Sequence, residues 1–175
     1  MLSVDEKTHI QALDRPHPEL PLRVGPPRRL TTTYKRHGTV NLVAALAVHS
    51  GEVIGRAVDR NPGENFVQFL KALDRTYRHV TIHAILENLS VHKHKQVQAW
   101  LARKRKLQVH STPTYASWLN QIEIWVSILT RAILKGGVWH SKKHPVDQLM
   151  EYIQHYNETQ AKPCQWTYGK QYFTN

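Results

Sequence analysis

Thr39-Val40-Asn41-Leu42-Val43-Ala44-Ala45-Leu46-Ala47-Val48 is the stretch that decides the fold. It is apolar at nearly every position and lacks the polar alternation of a strand with one wet face. A run of this kind reads as a central strand covered on both sides. Ser50-Gly51 follows as a turn signal, and Val53 to Asp59 reads as a paired strand, so residues 39–59 form a hairpin. Asn61-Pro62-Gly63-Glu64-Asn65 opens a helix running to about Tyr77, with Phe66, Phe69, Leu70 and Leu73 at helical spacing.

Beyond that helix, Val80 to Leu86 is another apolar strand, ending at Glu87. Residues 93–104 form a basic helix with Val97, Trp100 and Leu101 on one face, and Leu107-Gln108-Val109 is a short strand. Pro113 and Thr114 precede the longest helix, 115–135, which stops at Gly136-Gly137. A last helix spans about 145–158. On the other side of the opening stretch, Pro16, Pro18, Pro21, Pro26 and Pro27 exclude regular structure from residues 14–38. Arg15, Arg23, Arg28, Arg29, Lys35 and Arg36 make that segment a long basic loop or ribbon. Residues 4–13 read as a first strand with Asp5 near its start. The order is three strands, helix, strand, helix, strand, two helices: an α/β fold with a mixed central sheet flanked by helices.

The chain has 175 residues, enough for one full core, and a single domain over 1–175 is expected. Its formal charge of +11 favours a polyanionic partner, nucleic acid above all. Plain solubility, or a ribosomal type of surface without chemistry, gives the same charge. No apolar run is long enough to span a membrane and no basic amphipathic helix stands out, so no membrane partner is expected. Met1-Leu2-Ser3-Val4 lacks the features of a secretory signal, and Cys164 alone excludes an internal disulfide or a cysteine-rich zinc site. A cytoplasmic protein is expected. Histidines number twelve, and His92-Lys93-His94 with His110 suggests zinc at first sight. No tight ligand spacing supports it, and most of these histidines read as surface residues or phosphate contacts.

Three carboxylates sit in unusual places. In helix 115–135 the apolar residues leave a narrow polar stripe of Asn120, Glu123, Ser127 and Thr130. Glu123 is either a solvated member of that stripe or aimed into a polar site, and the helix alone favours neither. Glu87 ends an apolar strand, where ligand sites gather in open α/β sheets, but taken singly it is as ordinary as any strand-end acid. Asp5 is weaker still, with Glu6 beside it facing the other way. Together, Asp5, Glu87 and Glu123 supply the converging hard oxygens that two-metal phosphoryl chemistry needs.

Around these residues the chain resembles a family. Val4-Asp5-Glu6-Lys7, Leu86-Glu87-Asn88-Leu89-Ser90-Val91-His92-Lys93 and Thr112-Pro113-Thr114-Tyr115-Ala116-Ser117-Trp118-Leu119-Asn120-Gln121-Ile122-Glu123 are similar to the catalytic domain of IS630-type transposases, bacterial relatives of the Tc1/mariner group. Tyr156-Asn157 and Lys162-Pro163-Cys164-Gln165-Trp166-Thr167 match the family's ending, so the likeness runs along nearly the whole chain. The 35 residues between Glu87 and Glu123 suit it as well.

The resemblance implies a ribonuclease-H-like fold and a triad of acidic metal ligands, Asp5, Glu87 and Glu123. It implies Mg²⁺- or Mn²⁺-dependent cleavage at transposon ends, then attack of the freed 3′-hydroxyl on target DNA. DNA contacts are expected from Arg28, Arg29, Lys35, Arg36, His92, Lys93, Lys95 and Asn120. The family pattern has Asp-Asn where this chain has Glu87-Asn88; the added methylene points to activity that is reduced, shifted toward Mn²⁺ or absent. Family members usually carry N-terminal helix-turn-helix modules, which this chain does not show, so a separate helix-turn-helix polypeptide or a truncated remnant is expected. Three readings stay open: an active transposase core in the bacterial nucleoid, a remnant that only binds DNA, and a dimerisation partner of a full-length transposase that uses an exposed Trp139 and the basic surface.

Overall fold

The apolar run at 39–48 lies in the inner part of a five-stranded sheet in a computed structural model that describes residues 1–14, 34–58, 62–87, 95–113 and 116–165. In chain order the elements are β1 (Leu2–Asp14), β2 (Lys35–Ala47), β3 (Val53–Val58), α1 (Pro62–Thr76), β4 (Ile82–Leu86), α2 (Lys95–Leu101), β5 (Leu107–Ser111), α3 (Ile122–Leu129) and α4 (Lys143–Thr159). The sheet order is β3-β2-β1-β4-β5. The β1–β2 and β2–β3 pairs are antiparallel, and the β1–β4 and β4–β5 pairs parallel. The expected order of elements and the mixed sheet are both present.

β2 explains its own composition. Val40, Leu42, Ala44 and Leu46 enter one core, shared with Trp125 and Leu129 of α3 and Leu149 and Ile153 of α4. Val43, Ala45 and Ala47 enter the other, shared with Phe66, Phe69, Leu70 and Leu73 of α1 and Val97 of α2. Alternate side chains therefore both meet helices, and neither parity is free to be polar.

β1 serves both cores by changing phase. Leu2 and Val4 point toward α1 and α2, whereas Ile10 and Ala12 point toward α3 and α4. An uninterrupted strand would keep all four on one face. The register slips between Lys7, opposite Leu42, and Ile10, opposite Val40, so a bulge supplies the extra residue. His9 there has φ 58, a left-handed conformation uncommon for a residue with a side chain, and its N–H donates to Asn41 Oδ1 at 2.9 Å.

Several boundaries differ from expectation. β1 runs to Asp14 and β2 starts at Lys35, because Leu13 pairs with Arg36 and Asp14 with Lys35 in a ribbon that overhangs the end of β4. The expected loop is thus shorter at both ends, and its prolines lie outside the described residues. The long helix does not begin at 115: a short 3₁₀ turn occupies Ser117–Leu119, α3 starts at Ile122, and a π-helical turn spans Thr130–Leu134. Trp139 is buried at 3% exposure, not exposed; its N–H donates to Leu13 O and its indole Nε1 to Gln148 Oε1, both at 2.8 Å. α4 also caps the sheet edge. Val53 N–H donates to Asn157 Oδ1 and Asn157 Nδ2 donates to Val53 O, each at 2.8 Å, so one side chain does for β3 what a further strand would.

Candidate metal centre

Asp5, Glu87 and Glu123 come together from three elements. Asp5 lies on β1 opposite Ala44, on the face covered by α3 and α4. Glu87 follows the last residue of β4, and Leu86 pairs with Val4, which sets the end of β4 beside Asp5. Glu123 stands in the first turn of α3, where the helix N-terminus favours a negative charge. One carboxylate oxygen from each lies within 4.8 Å of the other two, and this is the one such cluster of His, Cys, Asp and Glu among the described residues.

Asn120 holds the third carboxylate in place. It is fully buried, and its Nδ2 donates to Val4 O at 2.9 Å. Glu123 N–H donates to Asn120 O at 3.0 Å. The start of α3 is therefore fastened to the residue before Asp5. On the other side, Thr112 N–H donates to Leu86 O at 2.9 Å, fastening the end of β5 to the residue before Glu87. The break before α3 has its cause here, since Asn120 turns inward to the β1 backbone.

The electrostatics are those of crowded acids. Burial pushes the Asp5 carboxyl up to about 7, and the Glu123 and Glu87 carboxyls reinforce it against a backbone N–H of Glu6. Burial, then Glu123, also raises Glu87. Glu6, on the opposite face, is raised by burial alone. A divalent cation relieves such crowding, and the donor set is all hard oxygen, which suits Mg²⁺ or Mn²⁺. The three residues thus fit such an ion.

The residues expected to touch DNA divide into groups. Lys35 and Arg36 are exposed on the overhanging ribbon, and Lys95 is exposed at the start of α2. By topology all three belong to the end of the sheet where Asp5 and Glu87 lie. Asn120 is inside the protein, with its amide nitrogen bonded to β1. Arg28, Arg29, His92 and Lys93 lie outside the described residues.

Three features had no clear signal in the sequence. A cleft of about 400 Å³ runs between the far half of β1 and the π-helical turn, lined by Lys7, His9, Lys135 and Trp139 among others. Asp14 takes His140 Nδ1 at 2.9 Å and lies 3.6 Å from His37 Nε2, and these histidines, His140 first, hold its carboxyl below the usual range. Trp118, one of the apolar residues of the expected helix 115–135, is 71% exposed on the 3₁₀ turn. Among the described residues no helix is long and apolar enough to cross a membrane.

Comparison with known proteins agrees with this geometry. The family model described as DDE superfamily endonuclease matches residues 1–144. The "Insertion element IS630 uncharacterized 39 kDa protein" of Shigella sonnei is 32% identical over 120 residues, covering 65% of this chain and 33% of that protein. The Mos1 transposase paired-end complex with left transposon end superposes with a TM-score of 0.64 at 15% identity, covering 87% of this chain and 47% of that one. The Mos1 mariner paired end complex with Mn gives 0.63 at 17% identity, with coverage of 87% and 47%. The catalytic domain of Mos1 mariner transposase gives 0.56 at 13% identity, with coverage of 87% and 69%. At these identities the structural likeness speaks for the fold, which is ribonuclease-H-like. The chain spans a third of the insertion-element protein and about half of the Mos1 chains in the DNA complexes.

Proposed function

The chain belongs to the DDE superfamily endonuclease family, and from that premise we propose that it cleaves DNA at the ends of a transposon and joins the freed 3′-hydroxyl to target DNA. The observation that carries this reading is the convergence of Asp5, Glu87 and Glu123, with an oxygen of each within 4.8 Å of the others. In this reading the three carboxylates hold two Mg²⁺ or Mn²⁺ ions. When bound, the ions supply the positive charge that activates water or a hydroxyl and stabilises the leaving oxygen.

The chain's own residues do the rest. Asp5, recessed at 8% exposure, defines the depth of the site. Asn120 keeps Glu123 at a fixed distance from β1, and a metal site tolerates only about 0.5 Å of misplacement. Lys35, Arg36 and Lys95 hold phosphates flanking the cleavage point, which positions the duplex without reading its sequence. DNA, as transposon ends and as target, is the proposed partner, in a nucleoid setting. A second copy of the chain and a separate helix-turn-helix polypeptide are the proposed assembly partners.

The test is nicking of a duplex carrying the ends of an IS630-type element by the purified chain, with Mg²⁺ and with Mn²⁺. Ion-dependent nicking that disappears in Glu123→Ala is expected. Retention of nicking in that variant overturns the assignment. A second reading, binding without cutting, rests on Glu87 at the position where the family pattern has aspartate. If the wild type is inert with both ions and Glu87→Asp nicks, that reading replaces the first.

A further inference from the structure

We infer that Trp118 is a base-stacking residue at the rim of the metal centre, taking the face of an unpaired nucleobase beside the phosphate that the carboxylates address. The inference rests on the DNA reading above and adds a residue to it. Trp118 is 71% exposed, whereas Trp125 and Trp139 are buried at 1% and 3%. A singly exposed side chain is ordinary in itself, so the account of this one has to come from where it stands.

Its position supplies one. Thr112 and Asn120, on either side of Trp118 in the chain, are both fastened beside the candidate metal centre. Thr112 N–H bonds to Leu86 O, next to Glu87, and Asn120 Nδ2 bonds to Val4 O, next to Asp5, each at 2.9 Å. Leu119 N–H donates to Ala116 O at 3.1 Å, which closes the turn that holds Trp118. Trp118 is thus carried on a braced turn two residues from Asn120. A braced support is what a contact residue needs to hold a ligand in one pose.

The chemistry selects the occupant. A charge of +11 draws a polyanion to the protein, but the indole has no charge to offer a phosphate. What it offers is a π-face, and every nucleobase has one to match. A paired base inside a duplex already has both faces stacked. A base freed from its stack has a face to give, so an unpaired base is the occupant that the indole fits.

The experiment measures binding of the full chain, with Mg²⁺, to a fluorescently labelled oligothymidine strand and to a blunt duplex of the same length. Trp118→Ala is expected to weaken the single strand roughly 10-fold and the duplex less than about twofold. Trp118→Phe, which keeps an aromatic face, should retain most of the affinity. The slope of affinity against salt should stay unchanged in both variants, because stacking releases no counterions. In Lys35→Ala, by contrast, both DNAs should weaken and the slope fall. Wild-type affinity for the single strand in Trp118→Ala overturns the inference, as does an equal loss on both DNAs or a Phe variant as weak as the Ala variant. A change in sedimentation with unchanged DNA binding assigns Trp118 to a protein contact and overturns it too. If the wild type binds neither DNA, the proposed function falls as well; if it binds both and Trp118→Ala matches it, only the stacking role falls.

Discussion

Asp5 keeps its proton to about pH 7 because burial, with Glu123 and Glu87 behind it, penalises the charged form. The sign of the stability effect follows. The folded chain binds a proton that the unfolded chain releases near pH 3.8, so the contribution is complete below about 3.8 and is lost as pH rises through about 7. Metal-free protein should therefore lose on the order of 3 kcal/mol between pH 4 and 8, measured by urea unfolding. Asp5→Asn should flatten that profile. Mg²⁺ or Mn²⁺ should raise the melting temperature of the wild type most at the alkaline end and leave Asp5→Asn unmoved. A wild-type profile flat across this range counts against crowded acids at the site. At this scale the sequence was readable where a motif surrounded the residue, as at Glu123, and misleading where exposure was guessed from local polarity. Trp139 follows two glycines and looked free, but its backbone partner Leu13 is far away in the chain and Gln148 reaches it from α4.

Elements depend on a few fastenings that local patterns do not announce. Asn157 serves the edge strand with two hydrogen bonds, so Asn157→Ala should cost about 1–3 kcal/mol, read by chemical denaturation, and should speed hydrogen exchange at Val53. Asn157→Asp, which lacks the amide donor, should recover only part of the loss. Gly51 has φ 78, and an added Cβ would run into the Lys162 backbone. Gly51→Ala should destabilise by at least about 2 kcal/mol, and a neutral result means that the 162–164 segment does not lie against this turn. The elements themselves were legible through apolar periodicity, β2 most of all. What escaped was the bulge at His9, since phase in β1 is set by which core each half meets and Thr8-His9 has no turn residue. The start of α3 also escaped, because Asn120 fits a helical stripe by spacing while its side chain bonds across 116 residues of sequence.

For the whole molecule, charge and fold act together. In the proposed reading the excess of basic residues draws DNA to a surface whose one such acidic cluster among the described residues is the candidate metal centre. Affinity should fall steeply with salt, and Lys35→Ala with Arg36→Ala should lower the slope of log affinity against log salt by about 2 if each meets one phosphate. An unchanged slope removes the overhanging ribbon from the DNA path. The global architecture was the most legible level, because strand and helix order fixes few topologies. The site was legible as a set of three acids, and its depth and bracing were not, since both depend on contacts between distant segments.

The bond from Asn120 to the Val4 carbonyl has a consequence in time. During synthesis, Asp5 and Glu87 leave the ribosome well before Glu123 does, as their order in the chain requires. Until residues 120–129 emerge and Asn120 reaches back to β1, two acids stand without the third. In the proposed reading, the capacity to cut therefore waits until residues 120–129 have joined β1.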